Sequence, residues 1–213
     1  MNAPSRRRVP PSPPSQTDLF AAPTGMEGFR YYPDILSTEE EEALGRELKQ
    51  LPFKQFDFQG FLANRRVVSF GYRYDYDRRA VVEAAPFPAF LIPLRRKVAA
   101  VFDRPEETFR QVLVNEYRPG AGIGWHRDKA QFDEVVGVSL LHPCTLRFRR
   151  KSGTTWDRVS LRIEPRSAYL LSGQARTLWE HSIPVVDRLR FSITLRTLVA
   201  NPKITASSDE ARE

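Results

Sequence analysis

From Phe109 onward the sequence breaks into short β-rich runs separated by turn signals, and no other feature narrows its possible folds as much. QVLVNEY, EVVGVSLL, TLRFRR, RVSLRIE, SAYLLSG and LRFSITLRTLV contain no run longer than eleven residues, and all are rich in β-formers. The pattern upstream is helical. Ser37 and Glu40 have capping-box spacing, and Ala43, Leu44, Leu48 and Leu51 follow at helical intervals, which predicts a helix over 38–50 ending at Pro52. A second helix is expected over 88–102, with Leu91, Leu94, Val98 and Val101 on one face and Pro93 in its first turns. Between the two, RVVSFGYRYDY (66–76) reads as strands. Helices followed by six or so strands give an α+β protein with a closed or sandwiched β-core. A jelly roll is the economical form, because two facing sheets enclose a central pocket.

A chain of 213 residues suits one domain, expected over 26–200, with 26–108 as an N-terminal extension and 109–200 as the β-core. Residues 1–25 hold six prolines and few apolar side chains, so this tail is expected to be disordered, as is the polar stretch 201–213. No apolar run approaches the ~20 residues that cross a bilayer, and no apolar segment follows the basic N-terminus. A single cysteine, Cys144, leaves no internal disulfide and suits a reducing, cytoplasmic setting. The formal charge is +7, with basic clusters at Arg65-Arg66, Arg95-Arg96-Lys97 and Arg149-Arg150-Lys151. A polyanionic partner and a merely solvated basic surface both fit that charge.

The sequence has three histidines: His126, His142 and His181. His126 and Asp128 stand at i and i+2, which in extended backbone points both side chains one way. With His181 they would make two imidazoles and a carboxylate on one face of an octahedral metal, leaving the other face open, as in non-haem iron(II) oxygenases. H-x-D alone also occurs at ordinary turns. Farther on, Arg190, Ser192, Thr194 and Arg196 share one parity in RFSITLR, opposite Phe191, Ile193 and Leu195. If that polar face is buried, its guanidiniums need an anionic partner, and a small dicarboxylate would grip them in bidentate fashion. Asn115 and Tyr117 could add hydrogen bonds. An edge strand with arginines reaching to solvent is the other reading.

Asn115, Tyr117, Pro119, Gly120, Trp125, His126 and Asp128, followed by Gly173, Arg176, Trp179, His181, Ile183, Pro184 and the strand from Arg190 to Arg196, resemble the AlkB family of dioxygenases in order and spacing. The resemblance covers about 110–198. It implies a double-stranded β-helix (a jelly roll) whose N-terminal extension, 26–108, forms a substrate-recognition lid. His126, Asp128 and His181 would bind Fe(II). Arg190 would salt-bridge the distal carboxylate of 2-oxoglutarate, helped by Asn115, Tyr117 and Thr194, with Arg196 as the second arginine. O2 is then the co-substrate. The implied reaction is oxidative dealkylation of N-alkylated bases in DNA or RNA, releasing succinate, CO2 and formaldehyde. Hydroxylation of a tRNA base, protein demethylation, and a non-catalytic nucleic-acid-binding module are the alternatives.

For the substrate, Tyr72, Tyr74 and Tyr76 alternate and could form a stacking platform, with Arg65, Arg66 and Arg73 near phosphate. They could equally be core aromatics. Trp125 and Trp179 adjoin the candidate ligands, either against a base or as buttresses. DNA-repair members of the family carry an acidic residue shortly after the metal aspartate, whereas this chain has Lys129, Ala130 and Gln131. NRRVVSFGYRYDY resembles members that act on RNA or on a tRNA wobble uridine. Gln16, Leu19 and Phe20 resemble peptides that dock on the bacterial sliding clamp, or they pack back on the domain. A monomer is expected.

Overall fold

The structure, a computed structural model, describes residues 25–58 and 61–205. The first half of the chain forms β1 (Phe29–Tyr32), α1 (Thr38–Leu48), β2 (Lys54–Phe58), β3 (Phe61–Phe70), β4 (Tyr72–Asp75), β5 (Ala80–Glu83) and α2 (Ile92–Val101). The second half forms β6 (Phe109–Tyr117), β7 (Ile123–His126), β8 (Phe132–Leu140), β9 (Cys144–Ser152), β10 (Thr155–Ile163) and β11 (Ala168–Leu171). It ends with α3 (Gly173–Thr177), β12 (Glu180–Ile183), β13 (Arg190–Leu198) and β14 (Ile204–Thr205). A seven-stranded sheet runs in the order β1-β11-β8-β13-β6-β3-β2 and a four-stranded sheet in the order β10-β9-β12-β7, with a small sheet β14-β5-β4 beside them. The two larger sheets enclose a cavity, which makes the β-core a jelly roll.

The large sheet is buried on both faces, which is why β13 has no exposed residue. Its outer face carries Val112, Val114, Val136, Val138, Phe191 and Ile193, packed against Leu44 and Leu48 of α1 and Leu94 and Val98 of α2. Its inner face meets Leu146, Phe148 and Ile163 of the four-stranded sheet through Tyr117, Val135 and Tyr169.

Helix α1 starts as its sequence dictates. Ser37 Oγ accepts from Glu40 N at 3.2 Å, and Glu40 Oε2 accepts from Ser37 N at 2.8 Å. Glu40 also pairs with Lys97 of α2, which ties the two helices together. Ser37→Ala should lower stability by ~1 kcal/mol without touching the site, a loss readable in a urea midpoint with unchanged slope.

Three features depart from the sequence expectations. The segment 26–108 is not only a lid: β1 pairs with β11, and β3 with β6, so it supplies three strands of the large sheet. Strands β1, β5, β7 and β12 have four residues each, too few for periodicity to reveal. The second helix opens with a 3-10 turn, Ala89–Leu91, and becomes α-helical where Pro93 sits in the first turn, the position that tolerates its missing N–H. Gln16, Leu19 and Phe20 lie outside the described residues.

Candidate active site

Cross-strand pairing places the first two site residues. In β7 and β12, His126 lies directly opposite His181, and their rings stand 4.2 Å apart. Toward the other end Ile123 pairs with Ile183, so β7 takes three steps where β12 takes two. The resulting bulge lets both Ile123 and His126 face the cavity, while Trp125, next to His126, points outside by ordinary alternation. His126 Nδ1 lies 2.9 Å from Gly124 O; a carbonyl only accepts, so Nδ1 carries the proton and the other ring nitrogen presents its lone pair. Asp128, two residues on, turns Oδ2 to His181 Nε2 at 3.7 Å. Its Oδ1 accepts from Arg196 Nη2 at 2.7 Å and Nε at 3.0 Å, while Arg196 Nη1 donates to Gln111 Oε1 at 2.9 Å.

Electrostatics fixes the protonation of the trio. Burial pushes the Asp128 carboxyl up, but Arg196, His181 and His126 together outweigh it and hold the group well below the usual carboxylate range. Burial and the neighbouring His126 push His181 down to about 3, and burial lowers His126 as well. At neutral pH the trio is therefore one carboxylate and two neutral imidazoles, the form in which such side chains ligate a metal. Among the described residues no group of three or more His, Cys, Asp or Glu is gathered tightly enough to hold an ion as it stands. The three converge, with one Asp128 oxygen committed to Arg196.

The cavity beside them, about 250 Å³, reaches from the inner face of the large sheet to a rim near β4. Asn115, Tyr117, Ser192, Thr194 and Arg196 line its depth, as the parity of β6 and β13 requires. Tyr169 also lines it, and Gly137 makes room for that ring: a Cβ on Gly137 would stand 2.3 Å from Tyr169 Cζ. At the rim Tyr74 and Tyr76 meet edge to face at 5.1 Å, and Lys129 Nζ lies 5.1 Å and 4.7 Å from their ring centres. Among the described residues, Arg65, Arg73, Arg127, Lys129 and Arg196 line the cavity against one carboxylate, Asp128. The space is strongly receptive to anions.

Arg190 lies deeper than the cavity lining. It is 1% exposed, stands 4.9 Å from the ring centre of Tyr117, and donates from Nη2 to Ser139 Oγ at 3.0 Å. Its Nε and Nη1 are buried with no hydrogen-bond partner among the described residues. A buried guanidinium with two unspent donors fits a carboxylate guest.

Three expected substrate contacts are placed elsewhere. Arg66 pairs with Glu116 on the outer face (Nε–Oε2 2.5 Å, Nη2–Oε1 2.9 Å), because the pleat of β3 sends Arg65 inward and Arg66 outward. Arg65, inside, donates to Asn115 Oδ1 at 2.7 Å. Tyr72 sits outside the cavity under Arg110, which donates to its hydroxyl at 2.7 Å. Strand β4 ends at Asp75, whose Oδ1 caps the turn at Asp77 and Arg78, so the three tyrosines do not share one continuous strand face. Trp125 is outside, between Arg147 and Arg149. Sequence reasoning gave no role to Arg176. From α3 it donates to the carbonyls of Lys129 and Phe132, the latter at 2.7 Å, and so holds the loop that carries Asp128.

The 2OG-Fe(II) oxygenase superfamily matches residues 28–196. The alkylated DNA repair protein ALKBH8 homolog of Arabidopsis thaliana is 29% identical over 84% of this chain and 58% of its own length. The mouse tRNA (carboxymethyluridine(34)-5-O)-methyltransferase ALKBH8 is 30% identical over 73% of this chain. The chain spans less than two thirds of these relatives, only 24% of the mouse protein. The solved structure of OsALKBH1 superposes with a TM-score of 0.61 at 15% identity, covering 80% of this chain and 96% of that one, a likeness of fold. The chain belongs to the 2OG-Fe(II) oxygenase superfamily, as an AlkB-like dioxygenase that uses Fe(II), 2-oxoglutarate and O2.

Proposed function

We propose that this dioxygenase oxidises an alkyl group on a modified base of a nucleic acid, with RNA as the favoured polymer and an uncharged or acidic base as the favoured target. The observation that carries this reading is the rim of Tyr74, Tyr76 and Lys129 over a cavity lined by five cationic side chains and one carboxylate. Two rings and an ammonium suit a flipped base held by stacking and by contacts to its oxygen-bearing edge. Bases that are protonated and cationic at neutral pH, such as 1-methyladenine and 3-methylcytosine, would enter against that field. The relatives' names mention alkylated DNA and tRNA carboxymethyluridine, the latter an acidic base. The methyl transfer in the mouse relative's name is not carried over.

In this reading His126, Asp128 and His181 hold Fe(II), and Arg190 anchors the distal carboxylate of 2-oxoglutarate, with Asn115, Tyr117 and Thr194 beside it. When bound, metal, co-substrate and O2 supply the oxidant for an unactivated C–H bond, with succinate and CO2 as by-products. Arg196 keeps Asp128 ionised and oriented through two hydrogen bonds. Arg176 fixes the 128–132 loop, and Ile123, Leu146 and Ile183 line the cavity with apolar surface that limits water. Oxidation of a methyl on nitrogen leaves a hemiaminal that sheds formaldehyde; on carbon, the hydroxyl stays.

Succinate and formaldehyde should be measured across tRNA, RNA and DNA oligonucleotides bearing neutral, acidic and cationic modified bases. Neutral or acidic bases should turn over at least about tenfold faster than cationic ones, and Lys129→Glu should narrow that ratio. Equal turnover of 1-methyladenine would overturn the charge argument. Oxidation of methylated protein with no nucleic acid oxidised would overturn the whole reading.

A further inference from the structure

The four-stranded sheet carries the two histidines on its inner face, and its outer face is basic and aromatic. Leu146, Phe148 and Ile163 pack inward, so alternation sends Arg147, Arg149 and Lys151 of β9 outward. On β10 the same rule exposes Trp156, Arg158 and Arg162, with Arg158 directly across from Arg149. Strand β7 adds Trp125, which alternation sends outward from its place next to His126. The rings and guanidiniums interleave: Arg147 lies 5.1 Å and Arg149 4.5 Å from Trp125, and Arg149 lies 4.6 Å from Trp156. Glu180 pairs with Arg149 and Glu164 with Arg162, which leaves this face well short of neutral.

Five like charges gathered on one sheet face repel one another, and flattening long arginines on indole rings costs side-chain entropy. The arrangement makes sense for a polyanion with stackable groups. Successive outward residues on β9 are roughly 6.6 Å apart, a regular cationic ladder. Trp156, 38% exposed, offers an indole beside it. The patch begins one residue from the candidate metal ligand, on edge strand β7, so a polymer with one base in the cavity can continue around that edge.

We infer that the outer face of β9 and β10, with Trp125, is a second docking surface that grips the sugar–phosphate backbone of the nucleic acid whose base occupies the cavity, and stacks one exposed base on Trp156. This inference rests on the nucleic-acid reading above. Arg149, Arg158, Lys151 and Trp156 are then binding residues remote from the chemistry.

The test is binding of unfractionated tRNA, a single-stranded RNA 20-mer, a DNA duplex and heparin between 50 and 200 mM KCl, with tRNA turnover measured in parallel. Arg158→Glu/Lys151→Glu, at two exposed positions, should weaken binding of tRNA or of the preferred nucleic acid at least about tenfold. It should also flatten the salt dependence by about two units, roughly one for each lost phosphate contact, with KM raised and kcat held. Trp156→Ala should weaken nucleic acid at least about fivefold and leave heparin unchanged. Whichever of RNA and DNA loses more identifies the polymer. Unchanged binding by the double variant in a wild type that does bind and oxidise nucleic acid would overturn this surface alone. Equal losses for heparin and nucleic acid, with no effect of Trp156→Ala, would reduce it to general polyanion attraction and overturn it too. Wild type that binds no nucleic acid would remove both readings, whereas binding through this face with no oxidation of any base would leave the surface standing and remove the proposed function.

Discussion

Arg190→Met is expected to leave the ligand-free chain at least as stable as the parent while raising the 2-oxoglutarate requirement about a hundredfold or more. The guanidinium is fully buried, spends one Nη2 hydrogen bond on Ser139, and leaves Nε and Nη1 unsatisfied. Each unsatisfied buried donor costs ~1–3 kcal/mol, and a buried charge without a counter-charge costs several more. Methionine keeps most of the length, lies against Tyr117 without a charge, and removes those costs. The co-substrate sees the opposite balance. Losing one side of a buried, charge-assisted carboxylate pair costs ~2–5 kcal/mol, roughly 30-fold to several thousandfold in affinity. Melting with and without saturating 2-oxoglutarate separates the two effects. The variant should melt at or above the wild type when ligand-free and should lose the upward shift on adding co-substrate. A ligand-free variant that melts several degrees lower, yet keeps that shift, would make Arg190 a structural brace instead.

The polarity of β13 was readable because alternation is a local property. Ser192, Thr194 and Arg196 line the cavity, and Phe191, Ile193 and Leu195 pack toward the helices, as their parity demanded. What alternation cannot give is depth: Arg190 shares the same face but sits beyond the cavity, opposite Tyr117. The capping box at Ser37 was equally local, and it formed. The readings that failed depended on distant partners. Arg66 looked free because Glu116 lies fifty positions away, and Tyr72 because Arg110 lies thirty-eight away. Trp125 is different: alternation from an inward-facing His126 already sends it outside, and only its adjacency in sequence to the candidate ligand suggested a place against a base. The bulge's own contribution is Ile123, which it lets face the cavity together with His126.

Asp128→Asn should abolish turnover, by about a thousandfold or more, because a carboxamide keeps the shape but not the charge that holds a divalent ion. It should also cost stability in the metal-free chain. Arg196 keeps an acceptor in the carboxamide oxygen but loses what is, among the described residues, the only acidic side chain lining its cavity, a change worth ~2–4 kcal/mol at this burial. The pH dependence distinguishes this from generic damage. Asp128 is held below its unfolded value, so its contribution is complete above about pH 4 and drains away as pH falls further toward the folded value. His181, pushed down to about 3, makes both proteins less stable as pH drops from about 6.5, by up to ~1.4 kcal/mol per unit, since only the unfolded imidazole takes the proton there. That slope does not need Asp128; removing an anion that raises His181 lowers it further and keeps the slope. The stability gap between wild type and variant should therefore stay level from pH 8 to about 5 and close below about 4, even as both curves descend. Urea midpoints at pH 8, 6.5, 5 and 3.5 read this directly, and a gap that closes already between 6.5 and 5 would locate the lost charge on a histidine instead of on Asp128.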